Sequence, residues 1–494
     1  MSTLFRKSQT NRRPKAQPQS APIAKPTHRP VAQPKAAKTK AAKDQRAQAK
    51  ARQIQAHTLA QAVLADWHLV RSRLAQLDLL TLARQTGFMQ RQPRKISPLA
   101  FLLGLLALSA ETLLSLERMA AAIALGAKVT YTKQALHKRL GPRLEHFVAE
   151  TAAAFFAQLA RTHAPDLLRS FNRVLLQDST VQTVPKRLAR SYPGGRNQKK
   201  CDRAALKIQF IGDLLNGTVL HWSFSGFTRN DQAAAPDILT VAQRGDLIIR
   251  DLGYFASYCF GQLYLLGAFF LSRYRHGVNV YDLEGQLLDL VRELRAHGHL
   301  DRQVLLGQEK TPVRLVALPV PDALANARRR YARANHDGRS QPSQTHLQLL
   351  GWNIFITNVP TQIWSAQAVA TIYRLRWRIE VVFKTWKSYL GLHRLNTRTG
   401  PLLGLSAAIK LLFCVLVYRQ CHELELLGDG TRHVSLLRLA RILEQCACLL
   451  MATILDLSPQ AILEHHLAQH LYYDQRPDRK HFFDQLADLN TPLG

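Results

Sequence analysis

The order of apolar runs between Arg173 and Arg273 constrains the fold of this chain more than any other feature. Five runs have the length and composition of β-strands: Val174–Leu176, Lys207–Asp213, Thr218–Phe224, Asp246–Asp251 and Leu265–Arg273. The second and third flank Asn216-Gly217, which is a strong hairpin signal. Helical segments fit between the later runs. The order of strand, hairpin, helix, strand, helix and strand predicts a mixed β-sheet with helices packed on it.

This order is also that of a ribonuclease-H-like core. The predicted fold class is therefore α/β, with a ribonuclease-H-like mixed-sheet core, a mostly β insertion, and helical regions at the N- and C-terminal sides. The predicted segments are a disordered basic tail (1–50), a helical domain (51–165), the first part of the core (166–273), the β insertion (274–364), the core helix that carries a glutamate (365–402) and a C-terminal helical region (403–494).

The charge balance narrows the choice of partner. Lys and Arg number 67 against 34 Asp and Glu, a formal net charge of +33. Such an excess suits a polyanion, with nucleic acid the first candidate and an anionic membrane surface the second. In the tail, prolines recur at every fourth residue from Pro14 to Pro34 among many lysines and arginines. We expect a disordered segment that binds phosphates without sequence preference, or else one that only solubilises the chain.

Two further features bear on location. The longest apolar stretch, Pro98–Ala110, is too short to cross a bilayer and stops at Glu111, so no membrane-spanning segment is expected. The six cysteines are scattered without a Cys-x-x-Cys pair, which argues against a disulfide framework or a zinc site. The expected location is the cytoplasm.

A helix-turn-helix is predicted within the 51–165 domain. Ser115–Gly126 has the pattern of a short helix that ends on glycine, and Thr130–Leu140 that of a second helix with Thr130 or Thr132 as its N-cap. The second helix carries Lys133, Lys138 and Arg139, which would face the major groove of DNA. An antiparallel helix pair with a basic outer face would have the same pattern.

The predicted helix from Ser365 to Leu390 carries the chemistry. Its helical periodicity places Tyr373, Arg376, Glu380 and Lys387 on one narrow stripe, opposite an apolar face that includes Ile379 and Trp386. By itself the stripe could be a surface ladder of ion pairs.

Two other carboxylates alter this interpretation. Asp178 and Asp251 each follow a short apolar strand, so with Glu380 three acids on separate core elements could meet at the rim of the sheet. Such a cluster would hold two Mg²⁺ ions, or Mn²⁺ in their place, for phosphoryl transfer on DNA, because hard cations prefer oxygen ligands. Arg376 and Lys387 would hold the phosphates beside them.

These residues resemble the DDE transposases of bacterial insertion sequences, in the branch with a β insertion and a Tyr-x2-Arg-x3-Glu-x6-Lys signature. The resemblance implies that Asp178, Asp251 and Glu380 are the catalytic metal ligands. It also implies that Arg376 and Lys387 grip the terminal phosphate and that Tyr373 packs on DNA near the cut. In relatives that excise through a hairpin, a tryptophan of the insertion takes up a flipped base. Trp352 occupies the matching position here, although it could equally be a strand-core residue.

The resemblance further implies an enzyme that binds the terminal inverted repeats of an insertion sequence, cleaves the DNA and joins it to target DNA. Its partners would be double-stranded DNA and, since two DNA ends must be brought together, a second copy of the chain on that DNA. The helices of the 403–494 region are the expected partner surface, unless they only pack against the core. It would act at the nucleoid of a bacterial cell. Two alternatives remain: a ribonuclease-H-like nuclease without strand transfer, and a transposase-derived DNA-binding protein with an inactive site.

Overall fold

The structure is a computed structural model that describes residues 35–111, 114–158, 165–195, 203–335, 341–388, 390–395, 398–426, 434–462 and 464. The predictions for residues 1–34, for the basic loop from residue 196 onward and for the chain after residue 464 lie outside this range. The chain divides into two units at Thr58. The fold described below is that of the second unit, which begins at Leu59.

One sheet organises the second unit. Its nine strands, counted over the described residues, follow the order β3-β2-β1-β4-β5-β9-β8-β7-β6. They are β1 (Val174–Val184), β2 (Ala204–Asp213), β3 (Thr218–Gly226), β4 (Leu247–Arg250), β5 (Phe269–Arg273), β6 (Val280–Tyr281), β7 (Leu300–Leu306), β8 (Thr311–Pro319) and β9 (Trp352–Thr357).

The first five strands form what we call the core half. β1, β2 and β3 are antiparallel neighbours, whereas β4 lies parallel to β1 and β5 parallel to β4. This is the ribonuclease-H-like arrangement that the sequence predicts, and the α/β class is confirmed. The predicted hairpin is also present, and Gly217 in its turn has φ +61°, a conformation that favours glycine. The predicted strand Leu265–Arg273 begins too early, since β5 starts at Phe269. Leu265 lies in the preceding helix, where it is 78% exposed.

The remaining four strands, β9-β8-β7-β6, form the extension. β9 pairs antiparallel with β5, so the strands of the insertion continue the core sheet. The expectation of a mostly β insertion was wrong, because helices α9, α10 and α11 alternate with its strands. The basic stretch around Arg328 belongs to α10, where alanines and arginines favour helix.

Helices cover the sheet and form the N- and C-terminal regions. They are α1 (Lys35–Gln76), α2 (Leu79–Gln85), α3 (Pro98–Ala107), α4 (Leu116–Ala127), α5 (Lys133–His137), α6 (Pro142–Ala157), α7 (Asp231–Ala234), α8 (Ser257–Leu266), α9 (Leu290–His297), α10 (Asp322–Ala334), α11 (Gln344–Leu349), α12 (Ala366–Tyr373), α13 (Trp377–Ser388), α14 (Gly400–Leu426), α15 (Leu436–Gln445) and α16 (Ala447–Leu455).

The helical prediction for 51–165 is confirmed for the described residues, but two details differ. Residues 35–50, expected to be disordered, form the start of α1, because no proline follows Pro34 in this alanine- and lysine-rich segment. The second helix of the predicted helix-turn-helix, α5, spans only Lys133–His137. Thr132 caps it as predicted, its side chain accepting from the Ala135 amide.

Helix α14 of the C-terminal region is part of the core. In α14, Gly400–Glu425 is long and apolar enough to cross a membrane, and 89% of its most apolar window is buried inside the protein. The expectation that Pro98–Ala110 is the longest apolar stretch was therefore wrong. The ammonium group of Lys410 in α14 donates to the carbonyl oxygens of Ser109 and Glu111. Because α14 is enclosed, the expected dimer surface on the 403–494 helices does not include its apolar face.

Candidate active site

Strand register brings the first two acids together. β1 and β4 are parallel partners, and their last pair is Gln177 with Arg250. The next residues along the two strands are Asp178 and Asp251, which are therefore adjacent where β4 ends. The sequence predicts that Asp178 ends its strand, but in the structure it does not. Instead β1 continues to Val184 on its other partner, β2, and Asp178 is the first residue beyond the pairing with β4.

Helix α13 supplies the third acid. Its buried side binds the sheet through aromatic contacts: the ring centroid of Phe210 in β2 lies 5.9 Å from Phe383 and 5.3 Å from Trp386. This packing turns Glu380 toward the sheet edge. The predicted continuous helix is interrupted by a 3-10 turn at Arg374–Arg376, directly before α13.

The three acids line one cavity of about 460 Å³, which we call the acid pocket. The sequence-predicted Arg376 and Lys387 also line it. The other lining residues are Ser179, Phe383, Lys384 and Ser388. Three carboxylates and three cations thus face the same space, an arrangement suited to binding divalent cations and a phosphodiester.

Arg376 lies between two of the acids. Its Nη1 donates to Glu380 Oε1 at 3.0 Å, and its Nε lies 3.5 Å from Asp251 Oδ1. The guanidinium also stacks over the Trp377 ring at 4.9 Å. Burial alone would lower the pKa of Arg376, but Asp251, Tyr373 and Glu380 outweigh it and raise that pKa.

Asp178 is the most buried of the three acids. Its Oδ1 accepts a hydrogen bond from the Ser179 amide at 2.7 Å. Burial raises the pKa of Asp178 to about 6, and the negative charges of Asp251 and Asp231 act in the same direction. A cation beside Asp178 would favour its ionised form.

Lys387 and Tyr373 occupy different positions relative to the pocket. Lys387 lines it and donates from Nζ to the Val181 carbonyl at 3.1 Å, and burial lowers its pKa. Tyr373 is not exposed. Its ring is buried against Phe355, with centroids 5.2 Å apart, while the charges of Arg376 and Asp251 act on its hydroxyl. Burial raises the pKa of Tyr373 to about 12.

Sequence reasoning missed Asp231, the first residue of α7. Its Oδ1 accepts from Ser179 Oγ at 2.8 Å and lies 2.8 Å from Nζ of the buried Lys207. These hydrogen bonds, with one from Gln209, lower the pKa of Asp231 although its burial would raise it. The sequence does contain a local signal for this position. Asn230 is a favourable N-cap residue and caps α7, so it predicts a helix that begins at Asp231.

Trp352 is not brought to the acid pocket. It begins β9, and its indole Nε1 donates to the Gly298 carbonyl at 2.8 Å. Side chains alternate along a strand, and Phe355 packs in the same core as Leu176 and Ile249, the core on the pocket side of the sheet. Trp352, three residues earlier, packs against the core on the opposite face. Its expected contact with a flipped base at the cut is not supported by this placement.

The basic residues of the predicted DNA reader are all exposed. Lys133 lies 3.8 Å from Glu117, and the guanidinium of Arg139 lies 5.9 Å from the Phe101 ring centroid. None of Lys133, Lys138 and Arg139 is among the residues that line the acid pocket. At five residues, α5 is shorter than the predicted reading helix, and the role of these cations stays a prediction.

The donor set of the acid pocket suits a hard cation. Its three acids offer only carboxylate oxygens, with a serine hydroxyl beside them, as Mg²⁺ and Mn²⁺ prefer. Within the described residues, no group of three or more His, Cys, Asp or Glu side chains is already arranged to hold a metal ion. Arg376 bridges Asp251 and Glu380 with its own positive charge. The residues fit divalent ions once the guanidinium is displaced.

Comparison with known proteins finds transposases of bacterial insertion sequences among the relatives of this chain. The transposase of insertion sequence IS231C from Bacillus thuringiensis subsp. berliner is 27% identical over 357 residues, 67% of this chain and 73% of that protein. The IS1151 transposase of Clostridium perfringens is 24% identical over 289 residues, 53% of this chain and 61% of its own length. Among solved structures, the piggyBac transposase synaptic complex with hairpin DNA matches with a TM-score of 0.41 and 10% identity, covering 83% of this chain and 86% of that one.

A family model described as "Transposase DDE domain" matches residues 169–417. The matched segment is half of the chain, and it contains the core half of the sheet, the extension and helix α13. Asp178, Asp251 and Glu380 all lie within it. The chain therefore belongs to the DDE transposase family.

Proposed function

We propose that this transposase binds the terminal inverted repeats of its insertion sequence and carries out DNA cleavage and strand transfer with two divalent metal ions. The observation that carries the proposal is the convergence of Asp178, Asp251 and Glu380, from three elements distant in the chain, on one pocket. In a chain of net charge +33, three acids gathered at one sheet edge would repel one another unless cations lie between them.

In this proposal Asp178, Asp251 and Glu380 hold the ions, Mg²⁺ or Mn²⁺. Ions bound there would activate the attacking oxygen and stabilise the leaving one. Arg376 would leave Asp251 and Glu380 when the acids are neutralised, and its guanidinium would then be free to bind a phosphate of the DNA end. Lys387, on the same helix, would hold the terminal phosphate as a second cation.

The proposal extends to partners. Strand transfer requires two DNA ends in one complex, so we propose a homodimer on DNA, with the inverted repeats and a target duplex as its nucleic-acid partners. The exposed cations Lys133, Lys138 and Arg139 would contact the repeat away from the cut. The transposase would act in the bacterial cytoplasm, at the nucleoid.

The test uses the full chain and linear duplex DNA carrying the short inverted repeats that flank its gene. With Mg²⁺ we expect paired breaks at both repeats and joined products, and with EDTA we expect binding alone. Cutting without joining would indicate a nuclease, and retardation without cutting would indicate a DNA-binding protein with an inactive site. Titration calorimetry with Mn²⁺ tests the ligands separately: wild-type protein should bind the ion, and Glu380→Gln should bind it at least tenfold more weakly.

A further inference from the structure

A second cleft lies beside the acid pocket and has no role in the proposal above. It has a volume of about 750 Å³ and is formed largely by α10 and α11 of the insertion together with the end of β5. We call it the arginine–tyrosine cleft, after Arg273, Arg328 and Tyr331, which line it with His346. None of its lining residues is acidic, whereas the acid pocket combines both signs of charge.

Strand register fixes where the cleft lies. Arg250 pairs with Ser272, so the next residues, Asp251 and Arg273, are neighbours at the same edge of the sheet. Leu271 packs in the core on the pocket side, and alternation places Arg273 on that side as well. The charges of Asp251, Arg376 and Arg273 all act on the buried Tyr373 hydroxyl, which therefore lies between the acid pocket and the cleft.

One of the two arginines of the cleft has unused hydrogen-bonding capacity, and the other has no carboxylate nearby. Arg328 donates from Nη2 to Asn353 Oδ1 at 2.9 Å, which fixes the side chain, but its buried Nη1 has no partner among the described residues. No carboxylate of the described chain lies within ion-pair distance of Arg273. The pKa of Arg328 is lowered by burial and by the nearby charge of Arg273. Two like charges that share a cleft without a counter-charge favour an anion between them.

The same cleft offers an exposed aromatic face. Tyr331 lies on α10 and is 70% exposed, one of the most exposed large side chains of the described part. Across the cleft, the His346 ring lies 4.8 Å from the His276 ring. Cations that track a phosphate backbone, interleaved with aromatic rings, are the usual features of a surface that binds single-stranded nucleic acid.

We propose that the arginine–tyrosine cleft binds a single DNA strand that continues from the phosphodiester in the acid pocket, with a phosphate between Arg273 and Arg328 and a base stacked on Tyr331. This inference rests on the proposed function, since it takes the acid pocket to act on DNA. Trp352 is excluded from this contact because it lies on the opposite face of the sheet, in a separate cleft of about 650 Å³ that also contains Asp322.

The first experiment measures stacking. The full chain is titrated into a fluorescein-labelled twelve-nucleotide thymidine strand, in EDTA to prevent cleavage, and affinity is obtained from anisotropy. Tyr331→Ala should weaken binding about tenfold, since base–aromatic stacking has an effect of that order, and Tyr331→Phe should restore it. The matched control is Tyr264→Ala, because Tyr264 is 46% exposed on α8, which packs on the opposite face. It should bind like wild type.

The second experiment measures phosphate contacts. Arg273→Gln and Arg328→Gln should each reduce the slope of log affinity against log salt by about 0.7 for this single strand. Arg295→Gln, an exposed arginine on α9, should leave the slope unchanged. Thermal unfolding of each variant checks that the fold is intact, and because Tyr331 is exposed, the Tyr331 result does not depend on the arginine variants being stable.

The outcomes separate this inference from the proposed function. If wild type and Tyr331→Ala bind the single strand with equal affinity and cleave repeat DNA normally with Mg²⁺, the proposed role of the cleft is wrong. The proposed function is then unaffected. Wild-type protein that binds the single strand through Tyr331 but never cleaves repeat DNA would overturn the proposed function instead. Weakened binding by Tyr331→Ala, together with slower cleavage at low DNA concentration, supports both.

Discussion

The core half and the extension of the sheet each contain a buried ion pair, and the two pairs have different surroundings. In the core half, Lys207 Nζ lies 2.8 Å from Asp231 Oδ1, and that carboxylate also accepts from Ser179, the neighbour of Asp178. In the extension, Arg314 and Asp301 form a bidentate pair with distances of 2.6 and 2.7 Å.

The remaining contacts of Arg314 show what the extension pair does. Its Nη1 donates to the carbonyls of Val359 and Trp364, at 3.2 and 2.8 Å, so the pair fastens the segment that leads into α12. The Lys207–Asp231 pair instead lies behind the acid pocket. The Arg314–Asp301 pair therefore holds a backbone in place, whereas the Lys207–Asp231 pair shapes the surroundings of Asp178. Substitutions of the Arg314–Asp301 pair should therefore lower the free energy of unfolding, whereas substitutions at the acid pocket should lower the rate of DNA cleavage.

The largest effect is expected in the acid pocket. Asp251→Asn should lower DNA cleavage by about 10³-fold or more, a loss on the order of 4 kcal/mol, because a carboxamide is a poor ligand for a divalent cation. Asp178→Asn and Glu380→Gln should behave alike. DNA affinity in EDTA and the unfolding temperature should stay near wild type. Robust cleavage by any one of these variants would remove that residue from the site.

The next effect should appear in the extension, as lost stability. Arg314→Leu leaves Asp301 and two carbonyls without their donor, and removing one partner of a buried pair costs about 3–5 kcal/mol. The matched control is Arg302→Leu on the neighbouring strand β7, whose exposed pair with Glu293 at 3.5 Å should contribute about 1 kcal/mol or less. Urea unfolding measures both. Equal losses would contradict the structural role assigned to Arg314.

The core half and the extension also differ in how well their structure can be predicted from the sequence. The core half was predictable because its signals are local: the hairpin at Asn216-Gly217, short apolar runs, and aspartates directly after two of them. The attachment of the extension to the core half was not, since the pairing of β5 with β9 joins Leu271 to Thr357 across most of the insertion. No local pattern of residues specifies such a partner.

The site was predictable in part, for a related reason. Spacing along the chain identified Glu380, Arg376 and Lys387, all of which line the acid pocket. The same spacing placed Tyr373 near Arg376, whose charge acts on it, but did not show that its ring is buried against Phe355. Trp352 was matched by position along the chain, but a strand residue changes face with every step of register. Asp231 reaches Ser179 across 52 residues, which spacing does not report.

A smaller effect on the cleavage rate is expected from substitution of Asp231. The Lys207–Asp231 pair is buried like the Arg314–Asp301 pair, so this substitution tests whether the two pairs differ in role. Asp231→Asn should lower the cleavage rate at saturating DNA about tenfold, since the buried Lys207 loses its counter-charge and Ser179, the neighbour of Asp178, keeps only a weaker, neutral acceptor, while DNA affinity stays unchanged. Asp231→Glu should recover part of the rate. The control is Asp237→Asn, which removes a pair with Arg229 at 2.6 Å and should change the rate less than twofold. If lower stability explained the whole loss, the Lys207–Asp231 pair would have a structural role like that of the Arg314–Asp301 pair.

The smallest effect concerns Lys387, which lies in the core half but should act through binding. Lys387→Ala should weaken complexes with the cut repeat end by several-fold, about 1 kcal/mol, and complexes with random duplex less, because the ammonium lines the pocket where the terminal phosphate would lie. Lys186→Ala, an exposed lysine just after β1, should affect the two DNAs equally. Gel-shift titrations on both DNAs measure the difference. If Lys387→Ala also weakens them equally, Lys387 is a general phosphate contact, and the chemistry of the core half is limited to the acids, Arg376 and the network behind Asp178.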